Sequence, residues 1–406
     1  MSQPSESESE PGRGTENPSA SRNVYAFGFT SLFNDTATEM AYWVLPAFLT
    51  SIGAGPAQLG IIEGIAESVA SGAQLFSGFL ADRIPRRKPV VVGGYFVANA
   101  VKPLLALATS WWHVLGIRFA DRLSKGIRNT PRDVMVAESV DKSRLGSAYG
   151  LIQALDSAGA VLGPLAALLL LEHYKLRTVF WAAAIPGALC VAVAAIWIRE
   201  TGWRREARAQ QPQPLSIWQL HLPGKFYVVL AAVTLFSLGN SSDMFLVLRA
   251  QNMGIPVGHV PLLGLVFNVM YTLFSWPAGR LSDRLSRRTL AAAGYLVFAG
   301  VYFVFALAPS TLAIWMAMAS YGLFYALTNP VLKALVVEAI EPGARGRALG
   351  IYFFVTSVAI LIASLVTGEL WKVYGARIPF LLSGGLALAA AATLLISRWV
   401  RGTKLA

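Results

Sequence analysis

A basic decapeptide occurs twice in this chain of 406 residues, first as GFLADRIPRR at 78–87 and again as GRLSDRLSRR at 279–288. The second copy begins 201 residues after the first, and six of the ten positions are identical. Each copy follows a long apolar run and forms a short, strongly basic segment. A duplicated apolar module that ends in the same way each time is typical of membrane proteins built from two repeats.

The composition supports this class. Hydrophobic residues make up 55% of the chain and charged residues 14%, against roughly 25% charged in soluble domains. The single cysteine, Cys190, lies in an apolar run, and the four histidines lie in or beside loops without metal-ligand spacing, so we expect no disulfide framework, metal or cofactor. The net charge of +12 comes largely from residues between apolar runs, which predicts contact with anionic lipid and not with nucleic acid.

A membrane-spanning helix needs about 20 mostly apolar residues. Twelve segments qualify, numbered here as spans 1 to 12: 24–52, 56–81, 89–108, 111–139, 145–171, 178–198, 226–248, 260–279, 290–308, 311–332, 348–368 and 378–397. We therefore predict an all-α membrane protein with two six-helix halves, 23–198 and 225–398, joined by a cytoplasmic linker at 199–224. The polar residues 1–22 are predicted to be a disordered tail and not a signal peptide, and 399–406 a short second tail.

Span 4 is the least apolar, since it contains Arg118, Asp121, Arg122, Lys125, Arg128, Arg132 and Asp133. The alternative is a charged surface loop. Without this span, however, the two decapeptides would lie on opposite sides of the membrane. Its counterpart in the second half, 311–332, carries no charge. We therefore predict that span 4 is a helix.

Lysine and arginine concentrate on the side of the decapeptides, which the positive-inside rule makes cytoplasmic. Both termini are then cytoplasmic, and the chain is predicted to lie in the plasma (inner) membrane. Glu138, Gly146 and Gly150 recur 200 residues later as Glu338, Gly346 and Gly350. An even number of spans in each half makes the two repeats parallel.

These motifs resemble those of the major facilitator superfamily. Gly-x-Leu-Ala-Asp-Arg-x-x-Arg-Arg at 78–87 is similar to its loop motif between helices 2 and 3, repeated here between spans 8 and 9. Arg122-x-x-x-Gly126 resembles its second motif, although Arg128 stands where a glycine is expected. The resemblance implies a twelve-helix transporter that works by alternating access. It is not expected to be an enzyme, and a monomer is expected.

Span 5 carries a further resemblance. Gly150, Gly159, Gly163 and Pro164 match the spacing of the motif found in proton-coupled antiporters, although Ala167-Leu168 replace its final glycine pair. Small residues allow a neighbouring helix to approach closely, and proline frees a backbone carbonyl. The resemblance implies the antiporter or efflux branch, with these residues giving helix 5 its flexibility.

Ionisable residues inside a membrane are costly and mark functional sites by default. Here they lie mainly in the first half, and the candidates for the substrate or proton site are Asp35, Glu39, Glu63, Glu67, Arg118, Asp121, Arg122, Lys125 and Asp156. Depth along the spans predicts that Glu63 meets Arg118 and that Glu67 meets Asp121 and Arg122. Two interpretations remain: a fixed ion-pair network, or a site for substrate and protons. The stripe from Lys125 to Arg132 is predicted to line a cytoplasmic vestibule or gate, and Lys102 to extend toward the outer surface.

The second half is mostly apolar and aromatic, and Tyr321 and Tyr325 either pack or line a cavity. One charged wall and one aromatic wall suit an amphipathic solute. The leading hypothesis is therefore proton-coupled export of a small organic or amphipathic solute. The alternative is import or exchange of an anionic metabolite, because arginine binds carboxylate and phosphate well.

The resemblance also implies that Asp82 with Arg83, and Asp283 with Arg284, form a cytoplasmic gate, in which each aspartate docks on the start of a helix in the other half. Such docking contributes about 0.3–1 kcal/mol. We expect Asp82→Asn to weaken the state that is closed to the cytoplasm. Labelling of a cysteine placed in the cytoplasmic vestibule should then change, and unchanged labelling would exclude the docking role.

Overall fold

The computed structural model describes residues 18–84, 86–140, 145–201, 224–338 and 345–402. In these ranges the chain forms twelve helical rods, α1 to α12, which correspond in order to the twelve predicted spans. Four rods consist of two helical pieces: α1 (Pro18–Tyr42 and Leu45–Ser51), α3 (Lys88–Val101 and Lys102–Leu107), α6 (Leu176–Ala182 and Ala184–Trp197) and α7 (Gly224–Gly239 and Met244–Asn252). The others are α2 (Pro56–Arg83), α4 (Trp111–Glu138), α5 (Leu145–His173), α8 (Val260–Arg284), α9 (Arg287–Leu307), α10 (Thr311–Glu338), α11 (Arg345–Tyr374) and α12 (Arg377–Gly402).

Nine of these rods contain stretches long and apolar enough to cross a membrane by composition alone, as judged on the described residues. The other three, α1, α2 and α4, contain most of the charged residues singled out above. At 28 residues, α4 is about 42 Å long at ~1.5 Å per residue, which suffices to cross the apolar core. The prediction that span 4 is a helix is therefore confirmed.

Both predicted tails are partly helical. The rod α1 begins at Pro18, inside the predicted tail 1–22, because proline fits the first turn of a helix and no breaker follows it. The rod α12 continues to Gly402, inside the predicted tail 399–406, since arginine favours helix and glycine commonly ends one. Residues 1–17 and 403–406, and most of the predicted linker (202–223), lie outside the described residues.

The two halves repeat the same packing. In the first half α1 packs on α5 and α6, and α4 packs on α2 and α3. In the second half α7 packs on α11 and α12, and α10 packs on α8 and α9. Each contact recurs six helices later with the same chain direction, so the repeats are parallel as predicted. Between the halves, α2 packs on α11 and α5 on α8.

We call the end of the bundle that carries Pro18 and Gly402 the terminus face, and the other end the far face. The halves are tightly closed near the far face. A Cβ on Gly60 would collide with the Ser364 carbonyl oxygen, and a Cβ on Gly368 with that of Pro56. On the other side of the bundle the Trp43 indole occupies the space that a side chain on Gly264 would need. The glycines at 60 and 368 allow the backbones of α2 and α11 to come into contact. The glycine at 264 allows the backbone of α8 to contact the Trp43 side chain of α1.

A branched side chain at Gly60 should force α2 and α11 apart at the far face. We expect Gly60→Val to increase several-fold the rate at which a membrane-impermeant maleimide labels Leu361→Cys, because Leu361 packs beside Gly64 in this seam. The matched control is Gly72→Val on the same helix, where an added Cβ meets nothing within 4 Å. Equal labelling of the two variants would contradict the view that this contact closes the far face.

Candidate functional site in the charged interior

The best-formed interaction of the interior is the ion pair of Glu63 on α2 with Arg118 on α4. The Arg118 Nε and Nη2 atoms lie 2.9 and 2.7 Å from Glu63 Oε1, and Nη2 lies 2.8 Å from Oε2. The side chains are 1% and 6% exposed. Two buried charges with this forked geometry compensate each other's loss of hydration. The predicted pairing of Glu63 with Arg118 is confirmed.

A second acid extends this pair toward α3. Asp121 lies 3.8 Å from Arg118 Nη1 and 3.7 Å from the Lys102 ammonium. Lys102 also donates a hydrogen bond of 3.1 Å to Asn99, and only 4% of the residue is exposed. The expectation that Lys102 extends to the outer surface is therefore wrong, because a buried carboxylate offers it a partner inside the bundle.

One helical turn further along, the same two helices form a second pair. Arg122 Nη2 lies 3.1 Å from Glu67 Oε1, as the depth argument predicted. The two side chains differ in exposure: Arg122 is 9% exposed and Glu67 is 41% exposed. The guanidinium therefore lies behind the carboxylate, and the carboxylate reaches the space between the halves.

Asp35 on α1 and Asp156 on α5 form a third cluster. The backbone of α5 at Gly159, three residues after Asp156, lies against the Cβ of Asp35, which brings the two carboxyl groups within electrostatic range of each other. Asn34 donates a 2.9 Å hydrogen bond to Asp35, and Gln153 donates one of 3.3 Å to Asp156. Glu39, one turn beyond Asp35, accepts a 2.6 Å hydrogen bond from the Trp43 indole.

The glycines of the span 5 motif explain this proximity. A Cβ on Gly159 would meet the backbone of α1 at Leu32 and the Cβ of Asp35, and a Cβ on Gly163 would meet Thr36 and Glu39. Only glycine lets α5 approach the carboxylates of α1 so closely. Gly150, also predicted for this motif, lies in the first turns of α5, at the terminus face.

Pro164 contributes a different contact. It lies inside α5 and has no N–H, so the carbonyl of Ala160, four residues earlier, has no partner in the helix. Asn268 on α8 donates a 3.0 Å hydrogen bond to that carbonyl. The freed acceptor therefore joins the first half to the second near mid-depth.

The remaining bases of α4 have separate environments. Lys125 is exposed and lies within electrostatic range of Glu67 and Asp35, which agrees with a vestibule position. Arg128 is buried, with its guanidinium 4.3 Å from the Tyr95 ring centre and 3.5 Å from Asn34 Oδ1. Arg128 therefore does not line a vestibule, because this side chain turns into the first half, and a part in a cytoplasmic gate stays a prediction. Arg132 pairs with Asp133 at 2.9 Å.

The second half supplies one acid that the sequence analysis did not include in the site. Asp243 lies where α7 is interrupted, and it accepts hydrogen bonds of 2.6 Å from Tyr321 and 3.1 Å from Tyr325. Tyr321 is buried, whereas Tyr325 is half-buried. Tyr321 therefore packs, and of the two tyrosines only Tyr325 can line a cavity. Four-residue spacing on α10 was the one available signal for a shared partner.

A hydrogen bond across the halves joins the two walls. Ser242, in the interruption of α7, donates to Glu63 Oε2 at 3.3 Å, and its own N–H donates to Ser364 on α11 at 3.3 Å. Glu63 therefore contacts both α4 and α7. This places the buried ion pair at the closed far-face end of the space between the halves.

The first decapeptide has a structural role at its last residue. Arg87 is buried and contacts both oxygens of Glu138 at 2.7 and 2.8 Å, while its N–H donates to Glu200 at 2.9 Å. This arginine directly precedes α3, and it ties the start of α3 to the end of α4 and to the segment that follows α6. Asp82, Arg83, Asp283 and Arg284 lie at the ends of α2 and α8, but their side chains fall outside the described part of the chain, so the gate stays a prediction.

Comparison with known proteins places this chain in one family. The sequence profile of the Major Facilitator Superfamily matches residues 27–254 and 229–405. An uncharacterised MFS-type transporter of Methanocaldococcus jannaschii is 32% identical over 92% of this chain and 94% of its own length. The multidrug resistance protein MdtH of Yersinia pestis is 23% identical over 75% of each chain.

Solved structures share the fold at low identity. A POT family transporter in complex with 5-aminolevulinic acid superposes with a TM-score of 0.78 at 12% identity, covering 92% of this chain and 96% of its own. The nucleoside transporter NupG gives a TM-score of 0.72 at 12% identity, covering 92% and 98%. The predicted twelve-helix fold is therefore confirmed.

The Glu63–Arg118 pair should dominate the stability of the first half. We expect Glu63→Gln to destabilise the protein by about 3–5 kcal/mol, because it leaves a buried guanidinium uncompensated. Thermal unfolding in detergent should show this as a clear loss of melting temperature, and Arg118→Met in the same chain should recover most of it. The control is Glu369→Gln, which breaks an exposed pair with Lys372 and should cost no more than about 1 kcal/mol. Equal shifts in the two glutamine variants would contradict the expectation.

Proposed function

We propose that this chain, which belongs to the major facilitator superfamily, is a proton-coupled exporter of a small organic solute. It works by alternating access, with the two halves rocking about a site at mid-depth. The terminus face is cytoplasmic, because it carries the basic decapeptides. The protein acts as a monomer in the plasma (inner) membrane.

The observation that carries the proposal is the close approach of α1 and α5 at Gly159, which places Asp35 and Asp156 within electrostatic range of each other. Two nearby carboxylates repel each other when both are ionised, and a proton bound by either one removes that repulsion. Gain of the proton favours contact of α1 and α5, and its loss favours their separation. The pair is thus a proton acceptor whose state changes the packing of two helices.

The helix that carries Asp156 also contacts the second half. Asp156 lies one turn before Ala160, whose carbonyl is bonded to Asn268 of α8. A movement of α5 relative to α1 therefore acts directly on a contact between the halves. The glycines at 159 and 163 permit that movement, since they present no side chain to α1.

Export is favoured by two likenesses. The spacing in α5 resembles that of antiporters, and one relative bears the name multidrug resistance protein. Among the similar structures, NupG is a nucleoside transporter and another is a peptide transporter, so export is not inferred from the fold.

The competing hypothesis is transport of an anionic metabolite by the basic stripe of α4. The observation in its favour is that the Lys125 ammonium has no carboxylate within ion-pair distance among the described residues. Arg118 and Arg122 are less suited to this role, because Glu63 and Glu67 already neutralise them.

The test uses purified protein in liposomes that contain a pH-sensitive dye, challenged with amphipathic cations, anions and neutral compounds. We expect at least one compound to drive proton movement opposite to its own. Asp35→Asn and Asp156→Asn should each reduce that proton movement at least about tenfold, the scale of a lost proton-transfer group. Glu369→Gln, at the exposed pair near the far face, is the control and should retain it. Transport that ignores the pH gradient would overturn proton coupling.

A further inference from the structure

The space between the halves is lined mainly by carboxylates, and of the arginines of α4 only Arg132, which pairs with Asp133, is half-buried. Glu67 is 41% exposed, while its partner Arg122 is 9% exposed. Asp35, Glu39 and Asp156 are half-buried. Arg118 and Arg128 are buried behind them. A solute entering this space therefore meets negative groups first.

Lys125 is the exception among the bases of the interior. It is exposed, lies within electrostatic range of Glu67 and Asp35, and has no ion-pair partner among the described residues. Its ammonium is carried on a flexible stem of four carbons. It therefore supplies a mobile positive charge to the carboxylates that line the space.

The facing wall is aromatic. Tyr271 on α8 and Tyr325 on α10 are half-buried, and their ring centres lie 6.1 Å apart in a T-shaped arrangement. The Tyr325 hydroxyl is bonded to Asp243, which lies within electrostatic range of Glu67. The ring faces and the carboxylates therefore border the same space.

We propose that this site takes a flat, amphipathic organic cation, a protonated amine or quaternary ammonium attached to an aromatic body. The cationic group pairs with Asp35 and with the exposed side of Glu67, which the Lys125 ammonium does not reach at ion-pair distance, and the aromatic body lies on Tyr271 and Tyr325. Carboxylates and ring faces both attract such a group once it leaves water. The inference rests on the proposed transport function and specifies its substrate class.

In this proposal the Lys125 ammonium competes with the bound cation for the negative charge of the carboxylates. When no solute is bound, this ammonium partly neutralises the carboxylates, so that the empty site is not left with uncompensated negative charge. When a cation enters, Lys125 retreats into the exposed space. Removing its charge should therefore strengthen binding of a cation, whereas at an anion site the same change would weaken binding.

The test measures binding by isothermal titration calorimetry to the full-length protein in detergent, without any proton gradient. Three probes share one ring system and differ in charge: 1-naphthylmethylammonium, 1-naphthalenemethanol and 1-naphthoate. We expect the ammonium compound to bind at least about tenfold more tightly than the other two, a difference of about 1.4 kcal/mol.

Lys125→Gln should tighten binding of the ammonium probe about fivefold to tenfold, as expected when a nearby like charge is removed. Tyr271→Leu should weaken it several-fold. Lys372→Gln, at an exposed lysine near the far face, is the matched control and should leave the affinity for the ammonium probe unchanged. Lys125→Met provides a second charge-free side chain in case the glutamine variant folds poorly, as judged by its melting temperature.

Preference for naphthoate, with weaker naphthoate binding in Lys125→Gln, would overturn the proposal in favour of an anion site. Equal affinity for the three probes would also overturn it. Because the measurement contains no gradient, tight cation binding by a protein that moves no protons would reject proton coupling and leave the substrate class standing. Proton-coupled movement of anions alone would support proton coupling and reject the proposed substrate class.

Discussion

The cost of placing charge in an apolar medium governs the arrangement of this protein. An ionised group inside the bundle must find an opposite charge, hydrogen bonds or water. Glu63 and Arg118 satisfy this requirement completely, and Ser242 adds a hydrogen bond from the other half. Around this fixed pair the charges that face the space between the halves are progressively less buried. The gradient runs from Asp121 and Lys102, which are buried, through Glu67 to the exposed Lys125.

This gradient separates two tasks that the sequence presents together. The buried pairs hold α2, α3 and α4 in one unit and leave little freedom for a solute or a proton. The half-buried acids of α1, α2 and α5 retain access to the space between the halves. We therefore expect the structural interpretation to apply to the buried pairs and the functional interpretation to apply to the half-buried acids. In the second half, Asp243 with its two tyrosines is the only acid–hydroxyl cluster formed by the described residues, so the two walls differ in chemistry although their helices pack alike.

The fold could be predicted from the sequence because the length of the apolar runs and the repetition of the basic motif strongly restrict the number and direction of the membrane helices. Depth along straight helices was enough to predict Glu63 with Arg118 and Glu67 with Arg122, since both helices start at the same face. Depth does not specify rotation about the helix axis. Lys102 and Arg128 were therefore misplaced, because their environment depends on which neighbour each helix faces. The pairing of Arg87 with Glu138 was missed for a related reason: a basic loop has an adequate explanation in topology, which hid the specific contact. Asp243 was visible in the sequence, but the interruption of α7 that presents it to Tyr325 was not.

The hydrogen bond to the Ala160 carbonyl affects how substitutions in α5 should be interpreted. The bond of this carbonyl to Asn268 exists because Pro164 lacks an N–H, so the acceptor belongs to the backbone and not to the side chain at position 160. Any residue that fits at 160 keeps the contact, and substitutions there will look neutral. The information for this joint between the halves is carried four residues away, where replacing proline would restore an ordinary helical hydrogen bond and leave Asn268 to compete for the same oxygen. A position can thus be tolerant of change and still be the point at which two halves of a protein meet.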